Sequence, residues 1–240
     1  MQTQLIIIRH GNTFQKGDPL LRIGAGTDLP LTEEGLQQAC RVGKYLCSHG
    51  YLPSIIFSSP LRRTMQTSFE IRHQLDPSIP VEPLEFLREI HYGEDDGLPE
   101  EDVLTRMGTR LLGEQETHTE ILQDAGRRAL ERWNTELIPP PGWSIDTSKI
   151  IRQWQSFGNE ILTKYPGQTV LAVTSNGIAR FVWGLLSAEM AQDIGKDRKL
   201  ATGAFSIFTH MGTAWRCETW NLRPESSSEL LMATSYAPPN

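Results

Sequence analysis

Four short segments of this chain carry side chains able to do chemistry. The first is Arg9-His10-Gly11, which ends the apolar run Leu5-Ile6-Ile7-Ile8. A neutral imidazole can attack phosphorus and hold the phosphoryl group covalently. A neighbouring guanidinium binds phosphate oxygens through planar, paired hydrogen bonds. Its charge also disfavours imidazolium and so keeps the ring's lone pair available. Gly11 removes a side chain where a substrate must come close. Together these residues suggest phosphoryl transfer through a phosphohistidine.

The second segment runs Ser58-Ser59-Pro60-Leu61-Arg62-Arg63-Thr64. It puts two arginines in the first turn of a predicted helix, where basic residues oppose the helix dipole. A bound anion would explain them, and spacing leaves the choice between Arg62 and Arg63 open. The third is Leu87-Arg88-Glu89-Ile90-His91-Tyr92-Gly93. A carboxylic acid beside a bound phosphate is held protonated by the negative charge and can protonate a leaving oxygen. Glu89 is the candidate, although Glu85, Glu94, Asp95 and Asp96 in the same loop satisfy the chemistry alone. His91 reads as a loop histidine. The fourth, Thr174-Ser175-Asn176-Gly177-Ile178-Ala179-Arg180, is a strand, a polar turn, a glycine and a helix start. That order builds anion sites from backbone N–H groups. Asn176 adds a neutral amide donor, and Ser175 or Asn176 also suits a helix N-cap.

Strands must bring these segments together. Apolar, β-branched runs predict strands at about 4–9, 54–57, near Val81, 169–174, 205–210 and 215–220. Helices are predicted between them. One is capped by Thr32, carries Glu33 and Glu34 in its first turn, and is stopped by Gly50. One is capped at Ser58-Ser59, has Pro60 at the first helical position, and runs to about Leu75. Another covers 150–164, and one starts at Ser175-Asn176-Gly177. Residues 98–140 are charged and helical in pattern, without strands, and end in Pro139-Pro140-Pro141-Gly142. Alternating strands and helices with a terminal hairpin argue an α/β sandwich with a mixed sheet. In such a sheet ligands bind at the carboxyl ends of the strands, where the first, second and fourth segments begin.

The composition narrows the alternatives. A chain of 240 residues with 38% hydrophobic residues can bury a substantial core without disulfides or metals. Its net charge of −6 argues against a non-specific nucleic-acid binder, which needs a basic footprint. A local arginine cluster can still hold an anion. Cys40, Cys47 and Cys217 have no paired spacing that would frame disulfides. Cys40 and Cys47, seven apart, read as two small core residues on one helix face. No metal-binding spacing and no membrane-length apolar stretch occurs. The amino terminus lacks the pattern of a signal peptide, so the cytoplasm is the expected location. The segment after Arg223 is rich in Ser and Pro, and residues 226–240 are expected to be loosely held.

The segments resemble the histidine phosphatase superfamily, with its phosphoglycerate-mutase-like fold. The likeness rests on Arg9-His10-Gly11-Asn12-Thr13, on Asp28-Leu29-Pro30-Leu31-Thr32-Glu33-Glu34-Gly35, on Ser58 to Thr67, on Glu89 to Gly93 with Gly97, and on Thr174 to Gly177. It implies a three-layer α/β sandwich with a mostly parallel mixed sheet. One domain would span 1–225, with a helical cap insert at about 98–145 that selects substrate. It implies His10 as nucleophile and Glu89 as the acid. Arg9, Arg63 (selected over Arg62), Asn176 and Gly177 would hold the phosphate. Asn12 and Lys16 would be possible substrate contacts. It implies no metal, cofactor or nucleotide. The partner would be a small-molecule phosphate ester, not a nucleic acid or a membrane. Three places depart from the family pattern. Asn176 stands where a second histidine is usual, so a donor remains but its charge is lost. Lys16 stands near a usual asparagine and could supply that charge. Asp95 stands where an aromatic is often found. The implied activity is a metal-independent phosphatase for small phosphomonoesters. The alternatives are a non-catalytic or weakly active phospho-ligand-binding regulatory protein, suggested by Asn176, and a phosphoglycerate-type mutase.

Overall fold

A computed structural model describes residues 2–187 and 198–224. The segment expected to be loosely held, 226–240, lies outside the described residues. Among these, six strands form one sheet: β1 (Thr3–Arg9), β2 (Pro53–Ser58), β3 (Val81–Pro83), β4 (Thr169–Thr174), β5 (Phe205–His210) and β6 (Trp215–Leu222). Their order is β3-β2-β4-β1-β5-β6. The first four run parallel, and β5 and β6 close the sheet as an antiparallel pair. The helices are α1 (Glu33–Ser48), α2 (Arg62–Leu75), α3 (Glu100–Leu112), α4 (Thr119–Glu136), α5 (Thr147–Lys164) and the short α6 (Asn176–Ala179).

The alternation of β1 makes the layers. Ile6 and Ile8 pack with Ala39, Val42 and Leu46 of α1 and Ile71 of α2. Leu5 and Ile7 face the other way, into a larger cluster with Trp154 and Phe157 of α5. That second cluster continues through Met107 of α3 and Trp133 of α4. A strand covered on both faces has no polar side to show, which explains the unbroken run of isoleucines. The result is the expected three-layer α/β sandwich with a mostly parallel sheet.

Several local expectations change. The helix after β2 begins at Arg62, not at Pro60, and Leu61 occupies its cap position without a capping side chain. The Asp28 carboxylate instead accepts the Arg62 N–H at 2.7 Å, so a distant loop satisfies this helix end. The helix at Asn176 lasts four residues before a 3-10 turn at Val182–Leu185. Cys47 is exposed and Cys40 half-buried, so this pair is not core. The first helix matches its signals: Thr32 accepts from Gly35 N, and Gly50 takes a φ of +74° just beyond the end.

Candidate active site

Register brings the segments to one edge. Arg9 pairs with Thr174 across β1 and β4, and Ser58 pairs with Val173 across β2 and β4. His10 and Asn176 therefore leave adjacent strands at nearly the same level. The loop after β3 carries Glu89 to the same place, because Thr174 Oγ1 donates to Leu87 O at 2.6 Å. His10, Arg9, Glu89, Asn12, Lys16 and Asn176 line one cavity of about 780 Å³. Arg63 and Gly177 do not line it, although Arg63 lies close enough to His10 for its charge to act on the ring.

His10 is 4% exposed, and its Nδ1 lies 2.7 Å from the Gly11 carbonyl. A carbonyl only accepts, so Nδ1 carries the proton and Nε2 keeps the lone pair in the neutral ring. Burial holds the imidazole's pKa well below its usual value, and the charges of Arg63 and Arg9 push it the same way. The ring is thus an uncharged base flanked by cations.

Each arginine is fixed by backbone carbonyls. Arg9 Nη1 donates to Leu200 O at 2.7 Å. Arg63 Nη1 and Nη2 donate to Thr27 O and Gly24 O at 2.7 and 3.1 Å. The Nε atoms of both are buried and hydrogen-bond to no protein atom. Buried charged donors left this way are costly unless an acceptor meets them, and an anion's oxygens fit. Burial lowers the Arg9 pKa to about 10, so it stays charged at neutral pH. Arg62, by contrast, is exposed.

Two backbone N–H groups hold Glu89. Ile90 N donates to its Oε1 at 2.8 Å, and Gly177 N donates to its Oε2 at 3.2 Å. The Gly177 N–H therefore positions the acid rather than offering itself to phosphate. A Cβ on Gly177 would lie 2.1 Å from Glu89 Oε1. Gly11 is also a packing glycine: its Cβ would lie 2.2 Å from Gly35 O, not in the path of a substrate. His91 is exposed, as a loop histidine should be.

The other acids of this loop have structural tasks. Asp96 accepts from Gly24 N, Gly26 N and Thr27 Oγ1, and so holds the loop that Arg63 grips. Asp95 is fully buried and accepts from Arg106, Arg110 and the Trp143 indole. It ties α3 and the loop before α5 to the acid loop, which accounts for a carboxylate at a place where the resemblance suggests an aromatic. Sequence reasoning missed Arg180, Tyr92 and Trp133 as cavity-lining residues. Arg180 had a signal, since it follows Asn176 by one helical turn. Trp133 had none within its own segment, because only the packing of α4 over the site brings it there.

The sequence pattern of the histidine phosphatase superfamily (branch 1) matches residues 5–223. The chain belongs to that superfamily. Solved structures share this fold. A mycobacterial glucosyl-3-phosphoglycerate phosphatase superposes with a TM-score of 0.67 at 21% identity, over 92% of this chain and 99% of that one. A phosphoserine phosphatase mutant from Entamoeba histolytica, in complex with phosphoserine, gives 0.63 at 20% identity over 91% and 96%. The 2,3-bisphosphoglycerate-dependent phosphoglycerate mutase of Buchnera aphidicola subsp. Baizongia pistaciae (strain Bp) is 25% identical over 186 residues, 72% of this chain and 78% of its own. The histidine phosphatase superfamily groups phosphohydrolase and mutase-like enzymes, and this chain is one of them. Among the described residues no helix is long and apolar enough to cross a membrane.

Proposed function

We propose that this superfamily member is a metal-independent phosphatase of small phosphomonoesters, working through a phosphohistidine. The observation that carries the reading is the His10 ring: buried, fixed through Nδ1–H to Gly11 O, and kept neutral by its surroundings. Such a ring offers Nε2 to phosphorus at neutral pH. Nε2 attacks in line, the P–N bond forms, and the bond to the leaving oxygen breaks. Glu89 gives its proton to that oxygen. Water then attacks phosphorus with Glu89 taking the proton, and orthophosphate leaves the restored imidazole. Arg9 and Arg63 offer their buried Nε–H groups to the phosphoryl oxygens, and Asn176 offers its amide. Helices α3 and α4 form the cap, and the wall formed by Trp133 and Asn134 faces the ester's alcohol part.

The test is incubation with a panel of phosphorus-labelled small phosphate esters, followed by acid-lability testing of any labelled phosphoenzyme. The expected result is orthophosphate release and an acid-labile phosphoenzyme that His10→Ala abolishes. Label persisting in His10→Ala, or a label stable to acid, removes His10 as nucleophile. Asn176 favours one rival, a phospho-ligand binder with little turnover. Tight phosphate binding with no hydrolysis of aryl phosphates between pH 4 and pH 8 would establish that rival. A mutase would instead need a bisphosphorylated primer, so primer dependence separates it.

A further inference from the structure

We infer that Arg180 supplies the phosphate pocket with the positive charge that Asn176 cannot carry. This rests on the phosphoryl-transfer reading above and assigns it one more residue. An amide donates a neutral hydrogen bond, and a charge-assisted bond is roughly twice as strong. A site for a phosphate ester built with one cation fewer would stabilise the transferring group less.

Lys16 is exposed at the cavity mouth, where water and salt screen it. Arg180 is 5% exposed and lines the same cavity as His10, Arg9 and Asn176. It sits one turn beyond Asn176, and its Nε lies 3.4 Å from Asn176 O. The guanidinium is held in one orientation. Asn134 Oδ1 and Trp133 O accept from it at 3.3 Å, and the Trp133 ring lies 5.0 Å away beneath it. A charge fixed before substrate arrives needs no reorganisation during the reaction. Its field reaches the site: it adds to the lowering that burial imposes on Arg9, and it offsets part of the rise that burial imposes on Tyr92. Asn134 and Trp133 belong to α4, so the cap itself aims this cation.

The experiment compares Arg180→Gln, Arg180→Lys, Asn176→His and the double variant Arg180→Gln with Asn176→His. It reads kcat and KM on p-nitrophenyl phosphate, and the binding of orthovanadate and orthophosphate by titration calorimetry. Arg180→Gln is expected to lower kcat by about tenfold to a hundredfold and to weaken orthovanadate more than orthophosphate. Arg180→Lys keeps most of both. Asn176→His is read against Arg180→Gln: the double variant is expected to regain about tenfold in kcat over Arg180→Gln alone, a rescue that a purely structural role would not give. Equal losses in Arg180→Lys and Arg180→Gln, or no rescue, overturn the inference. If Arg180→Gln does not fold, Asn176→His alone decides: a gain of about tenfold in the wild-type background would mean the charge was missing. If wild type hydrolyses nothing, the phosphatase reading fails, while the orthovanadate arm still reports on Arg180.

Discussion

The Asn176 side-chain carbonyl accepts the backbone N–H of Leu200 at 2.9 Å. The carbonyl of the same Leu200 accepts from Arg9. The backbone of one residue therefore fixes two side chains of the cavity. It also sets the amide's orientation, because a backbone N–H cannot face an NH2 group. The NH2 of Asn176 is left to turn toward the cavity. Asn176→Asp should keep the bond to Leu200 and reverse the other half of the amide, from donor to anion. We expect kcat/KM to fall by at least about a hundredfold with a thermal midpoint close to wild type. Steady-state kinetics and calorimetry check this, and a mild loss would mean that Asn176 does not face phosphate.

The neutrality of His10 has a pH signature. Burial first, then Arg63 and Arg9, depress its pKa in the folded protein. An unfolded histidine titrates near 6.5. The ring should therefore stay uncharged through mildly acid pH, with the proton on Nδ1. Nitrogen-15 NMR of the ligand-free protein should show no His10 titration at or above pH 6.5. The sign for stability follows. Below about pH 6.5 the unfolded state binds a proton that the folded state refuses, so His10 makes stability fall as pH drops. His10→Asn should flatten that part of the profile.

Gly177 lies against the acid. A methyl at this position would overlap the Glu89 carboxylate, whose Oε1 would be 2.1 Å away. Glu89 must then leave its two backbone donors. Gly177→Ala should cut kcat by about a hundredfold or more, as expected when a positioned acid is lost, while orthophosphate still binds. Unchanged kcat would show that the proton comes from elsewhere.

Gly11 and Gly35 face each other, and each Cβ would meet backbone of the other segment at 2.2 Å. Backbone on both sides cannot yield as a side chain does. Gly11→Ala and Gly35→Ala should each destabilise the fold by about 1–3 kcal/mol or more. Denaturant titration reads the loss, and wild-type stability in either variant would mean the strand end and α1 separate at little cost.

Asp95 ties α3 to the segment before α5. Burial alone would raise its pKa, but hydrogen bonds from Arg110, Trp143 and Arg106 outweigh it, and the carboxyl titrates below its usual range. Its stabilisation is therefore present above about pH 4 and is lost as pH falls through the lowered value. Asp95→Asn should cost about 1–3 kcal/mol at neutral pH, because two partly exposed arginines lose a buried partner. Limited proteolysis should then cut first between α3 and α5. A variant as stable as wild type would show that the two arginines find other acceptors.

The sequence by itself determined the six strands and the long helices, because β-branched runs, amphipathic periodicity, Thr32 and Gly50 are local signals with local causes. It also singled out His10, Arg9, Glu89 and Asn176, which stand where strands or their loops end and which line one cavity in the fold. Tertiary structure decided what depends on distant partners. Arg63, not Arg62, turns inward, because carbonyls at Gly24 and Thr27 receive its guanidinium. Gly177 serves Glu89, and Gly11 serves Gly35. Asp28 supplies the start of α2, which Ser58 and Ser59 were expected to cap. Arg180 joins the pocket because α4 folds over it. Side-chain type and spacing record what a residue can do, but which acceptor it meets is set by segments dozens of residues away, and only packing brings them into contact.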